Sequence, residues 1–160
     1  MAAYIDQFTG ESLMVIKKPP IEAPSIVPFK NNGDNTFLQD RFICFAYRYQ
    51  YADGEFSATS QFSDPAFVAG NFQFNTGTFL NEGMLNVMNA VTISYNTGGP
   101  LVKDIEILFK EMDNPVIRVV ERLNKLDLGL ADNDVATFVF DNQKIFTVLP
   151  ETEILRIYDN

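Results

Sequence analysis

Asp104 and Glu106, within "VKDIEILFKE" (Val102 to Glu111), are the residues best spaced for acid–base chemistry. Two carboxyls flanking a glycosidic bond can hydrolyse it, one protonating the leaving oxygen while the other attacks or activates water. One intervening residue places both on the same face of a strand. Ile105, Ile107 and Phe109 alternate with them, so that face is expected to meet water and the pair reads as surface charge. Cys44 is the single cysteine and lies in an apolar run, which predicts a buried thiol with no disulfide partner. The chain contains no histidine, which excludes Ser-His-Asp and Cys-His catalysis and any imidazole metal site. Two oxygen-rich loops, Asn31/Asn32/Asp34 and Asp132/Asn133/Asp134, have donors for a hard cation but not EF-hand spacing. Such loops ordinarily bond their own backbone. Gly98-Gly99 lead into a strand rather than a helix, unlike a phosphate-cradling loop. No catalytic residue, cofactor or metal is expected, and the chain reads as a non-enzyme.

Charge narrows the partners. Lys and Arg number 12 against 21 Asp and Glu, with no basic run beyond Lys17-Lys18, so counterion-releasing contacts to phosphates are lacking. DNA could meet this surface only in passing, along a wall that repels it. No stretch approaches the roughly 20 apolar residues of a membrane helix, so no membrane insertion is expected. The N-terminus has no basic start followed by an apolar stretch, which predicts synthesis in a cytosol without a secretory signal.

The elements that would position these residues are almost all strands. Gln39 to Tyr51 is rich in Phe, Tyr and Ile, and Asp53-Gly54 follows as a hairpin turn. A two-residue type I′ loop there would pair Ala52 with Glu55, Tyr51 with Phe56, Tyr49 with Ala58 and Tyr47 with Ser60. Arg48 and Gln50 would then face water opposite Thr59 and Ser57. Further strands are predicted over Ala66–Phe74, within Asn89–Pro100, where Val91, Ile93 and Tyr95 alternate into a Gly-Gly-Pro turn, and over Val102–Glu111, Val116–Leu123, Val135–Phe140 and Lys144–Leu149. "NEGMLNVMNA" has room for one helical turn carrying Met84, Leu85 and Met88, and Pro150 with Glu151 and Glu153 suits a short terminal helix. Pro19, Pro20, Pro24 and Pro28 punctuate an extended segment that can pair only as an edge or lie as polyproline II. The reading is an all-β antiparallel β-sandwich over 36–149, an N-terminal arm over 1–35 and a short C-terminal helix over 150–160.

"FAYRYQYADGEFSATSQFS" resembles the C–C′ region of a fibronectin type III-like sandwich. Taken in order with "NAVTISYNTGG…VKDIEILFKE" and "LPETEILRIYDN", it resembles virion structural proteins of short-tailed, including crAss-like, phages. Those proteins are described as stabilisation, tail-hub or muzzle proteins. The resemblance implies a structural role in the virion tail or neck, in a homo-oligomeric ring with other tail proteins around a DNA conduit. Contacts are expected from the arm (Pro19, Pro20, Ile21, Pro24, Ile26) and from Phe72, Phe74 and Phe79. The alternative is a fibronectin-like module that binds glycans or host surface proteins.

Overall fold

Period-two alternation in the aromatic and β-branched stretches builds strands. The computed structural model describes residues 16–142 and 147–149. Its strands are β1 (Ser25–Phe29), β2 (Ile43–Tyr51), β3 (Phe74–Asn75), β4 (Leu80–Asn81), β5 (Ala90–Asn96), β6 (Val102–Glu111), β7 (Arg118–Asn124), β8 (Val135–Phe140) and β9 (Thr147–Val148). All pairings are antiparallel, and the described residues include no helix. One sheet runs β1-β5-β8 and the other β2-β6-β7-β9, while β3 and β4 form a separate hairpin. The two sheets enclose one aromatic core and form an all-β, sandwich-like architecture.

The core divides along its length. At one end Phe45, Phe109 and Phe140 meet with ring centroids 5.1–5.8 Å apart, backed by Phe37 and Leu38. At the other, Tyr47, Tyr49 and Tyr51 from β2 meet Tyr95 from β5. Phenylalanine fills dry space, whereas a phenol must bring its hydroxyl to a polar partner or to solvent. The tyrosine end is accordingly the end that opens.

Tyr51 donates its N–H to the carbonyl of Glu55, and Gly54 closes a turn onto the carbonyl of Tyr51. Only Gly54 takes a positive φ, at 87°, and Asp53 does not. The loop is therefore a three-residue turn ending in a left-handed glycine, rather than the expected type I′ loop. Tyr51 faces Glu55, Gln50 bridges Phe56 and Tyr49 meets Ser57, while Tyr47 keeps Ser60.

Beyond the turn the chain covers β2 without becoming a strand. The N–H groups of Ser57, Ser60, Ser63 and Ala66 donate to the carbonyls of Tyr49, Tyr47, Phe45 and Ile43 at 2.7–2.9 Å. In return, the N–H groups of Tyr49, Tyr47 and Phe45 donate to Oγ of Ser57, Ser60 and Ser63, each at 3.0 Å. Each hydroxyl donates onward to the next carbonyl, of Ala58, Gln61 or Asp64. Three residues thus span the roughly 6.8 Å of two strand residues, about 2.3 Å each, well below the ~3.1 Å of polyproline II. The side-chain oxygen replaces the carbonyl that an ordinary partner strand would offer.

The second face of β2 and β6 is also buried, which corrects the expectation that it is wet. Arg48, Glu106 and Arg122 form one row across β2, β6 and β7. Glu106 is 1% exposed and Arg48 3%. Arg48 Nε donates to Glu106 Oε2 at 2.8 Å and Arg122 Nε to Oε1 at 2.8 Å, while the Phe56 ring lies 4.0 Å from the Arg48 guanidinium. Nearby, Ala46, Leu108, Ile117 and Leu149 form a second small core with Phe62 against it. Cys44 is buried as expected, and burial pushes its thiol pKa up.

Two other expectations change. No strand spans Ala66–Phe74 and no helical turn carries Met84 to Met88. There the chain runs out and back, tied by an Ala69–Asn86 bridge and by the Asn86 side chain bonding Ala66 O and the N–H groups of Val68 and Met88. The sandwich also begins before residue 36, because β1 pairs with β5 as an edge strand. The expected C-terminal helix over 150–160 lies outside the described residues.

Candidate functional site

The β3–β4 hairpin projects from that out-and-back ladder and carries an apolar surface. Phe72 is 75% exposed, Phe79 76%, and Phe74 and Leu80 more than half. Phe72 and Phe74 lie stacked, 5° from parallel with centroids 6.4 Å apart, and Phe74 meets Phe79 edge-on at 6.5 Å. Asparagines brace the loop. Asn75 Oδ1 accepts from Gly77 N–H at 2.8 Å, Asn81 Oδ1 from Gln73 N–H at 2.8 Å, and Asn75 Nδ2 bonds Glu82. Phe79 sits at φ 56°, a left-handed conformation that costs a non-glycine residue about 1–2 kcal/mol. The strained residue also presents an exposed ring.

The arm is not free. Pro20 and Pro24 are buried, Ile26 packs against the core, Pro19 is half-buried, and Ile21 is exposed. Tyr51 Oη donates to Lys18 O at 2.8 Å, and Lys17 pairs with Asp53 at the hairpin tip. Lys17 holds the Asp53 carboxyl below its ordinary pKa, and Asp53 raises that of Lys17. Of the sequence-predicted contact residues, the structure therefore brings Phe72, Phe74 and Phe79 together on the surface and turns most of the arm inward. Asp53 and Gly54 form the turn that the arm clasps.

Between the arm and the tyrosine end lies a cavity of about 650 Å³. Tyr47, Tyr49, Tyr51 and Tyr95 line it together with Ser94, Asn96, Gly98 and the Pro19-Pro20 wall. Tyr49 Oη donates to Asn96 O at 3.1 Å, and Asn96 N–H donates to Tyr47 Oη at 3.4 Å. Gly98 has φ 68°, and a Cβ there would lie 3.0 Å from the Tyr49 ring and 2.8 Å from Val102. Lys125, itself buried, fixes this loop by donating to the carbonyls of Gly98 and Gly99 at 3.2 and 2.9 Å. Leu80 and Tyr95 were not singled out by sequence spacing. The available signal was tyrosine in place of phenylalanine at alternate core positions, since a phenol predicts a polar boundary.

Chemistry-bearing residues elsewhere are committed to structure. Both Glu106 oxygens accept from arginines, and Asp104 Oδ1 accepts from Asn124 at 2.6 Å. Asn31 Oδ1 accepts from Gly33 N–H, Asp132 pairs with Lys125, and the N–H and carbonyl of Asp134 bond Thr97 Oγ1. Among the described residues no three His, Cys, Asp or Glu side chains converge to hold a metal, and no helix is long and apolar enough to cross a membrane. No known family, curated protein or solved structure matches the chain.

Proposed function

We propose that this chain is a non-enzymatic structural module of a phage tail or neck that works through protein–protein contacts in an oligomeric assembly. Its contact is the phenylalanine hairpin. The observation that carries this reading is the cluster of Phe72, Phe74, Phe79 and Leu80, more than half exposed, on a braced projection. A contiguous exposed apolar surface marks an interaction site more often than chance. The ordered likeness of three segments to tail-hub and stabilisation proteins of short-tailed phages supports the virion setting. The net charge of −9 suits a wall beside passing DNA better than a clamp on it.

Replacing Phe72 by Ser and Phe79 by Gly tests the contact. Glycine accepts the left-handed φ, so the hairpin should keep its fold while losing its surface. Sedimentation of the wild type should show a concentration-dependent oligomer that the double variant cannot form, with equal melting temperatures. Identical sedimentation of the two proteins up to millimolar concentration would refute the hairpin as the self-contact.

A further inference from the structure

The tyrosine end of the sandwich holds hydrogen-bonding groups that the fold does not use. Tyr95 is 3% exposed, yet its hydroxyl has no hydrogen-bond partner among the described residues. Among the described residues no buried side-chain oxygen or nitrogen is left unsatisfied, and Tyr95 lines the cavity, which gives its hydroxyl open space to face. Burial alone pushes its pKa up, with no bond opposing the shift. Beside it, 6.0 Å between ring centroids, Tyr47 accepts from Asn96 N–H, and its hydroxyl interacts with that of Tyr49. Ser25 and Ser94, a register pair on β1 and β5, add two more hydroxyls to the lining.

We infer that this cavity is a binding site for a neutral carbohydrate, held by the Tyr95, Tyr47, Ser25 and Ser94 hydroxyls against the Pro19-Pro20 wall. The chemistry favours a polyol over other ligands. A fully apolar ligand would strand the Tyr95 phenol proton at a dry surface, at a cost. Glu22 and Lys18 both line the cavity, so an ionic ligand meets opposite charges and gains little from either. The rings do not act as a stacking platform, because Tyr47, Tyr49, Tyr51 and Tyr95 are each 2–6% exposed. Sugar C–H surface would instead rest on the half-buried Pro19 ring. A volume of about 650 Å³ is within the range of small-molecule sites. This inference stands apart from the assembly reading, since the cavity and the phenylalanine hairpin share no residue.

The test is an NMR titration of the whole chain with glucose, galactose, N-acetylglucosamine and maltose, following the amides of Ser94, Tyr95, Asn96 and Gly98. At least one sugar should give saturable shifts confined to these positions, and glucuronate should do no better than glucose. Tyr95→Phe removes only the unpartnered hydroxyl, so the fold should be kept while the affinity falls about five- to tenfold. Absence of saturable shifts from all four sugars would overturn the inference. So would shifts centred on Phe72 and Phe79, or a Tyr95→Phe protein that binds as the wild type does. Either result leaves the sedimentation test of the hairpin untouched.

Discussion

Arg48→Ala should damage this protein far more than a surface arginine would. Glu106 keeps 1% of its surface, and its Oε2 receives two bonds from Arg48, from Nε and from Nη2, both at 2.8 Å. Removing one partner of a buried ion pair typically costs about 3–5 kcal/mol, because the surviving charge is left without solvent. Arg122 still holds Oε1 and is 53% exposed, so the lower end applies, about 3 kcal/mol. Loss of the guanidinium over Phe56 adds about 0.5–1 kcal/mol. For a chain of this size that corresponds to a melting temperature lower by about 7–16 °C. Urea unfolding followed by circular dichroism should show a lower midpoint at constant slope. The double change Arg48→Met with Glu106→Leu should restore stability to within about 1 kcal/mol, since removing both charges leaves an apolar contact. A loss below about 1 kcal/mol for Arg48→Ala would refute the burial of this row, that being the range of an exposed ion pair.

Ser60→Ala should cost about 1–3 kcal/mol, by leaving the buried Tyr47 N–H without its acceptor. Hydrogen exchange at Tyr47 should accelerate alongside, and unchanged protection there would count against the serine ladder. The clasp between arm and hairpin should depend on pH with a defined sign. The Asp53 carboxyl lies below its ordinary 3.8, so its contribution is present above that value and is lost as pH falls through the lowered pKa. Lys17 lies above its ordinary 10.5, so its contribution is present below that value and is lost as pH rises through the raised pKa. Lys18 and Tyr51 NMR shifts should therefore be steady between these limits and move outside them, in wild type but not in Asp53→Asn.

Sequence periodicity carried much of the sandwich and stopped where pairing departed from a period of two. Tyr47, Tyr49, Ile105, Ile107 and Phe109 all face inward as their alternation predicts, because burial of one strand face enforces it. The hairpin register predicts that Glu55 to Ser60 pairs with β2 as a strand, and beyond Phe56 the segment is not one. Its signal was serine at every third position, which a two-residue template passes over. Arg48 and Glu106 looked wet because a charge on a strand usually is. Their burial needs Phe56 folded back over them and Arg122 from β7, neither of which local spacing reveals. At the candidate site, the phenylalanines stood out by composition and proved exposed. The cavity arises from a long-range meeting of arm, β2 and β5, which local spacing does not show.

The serine ladder also bears on misassembly. The amides and carbonyls of β2 repeat every two residues and would suit a foreign strand, but the resident segment already fills them, three residues to each repeat. Strand addition on that side therefore requires displacing the Ser57–Ala66 segment, whereas β1, β8 and β9 are the other sheet margins among the described residues.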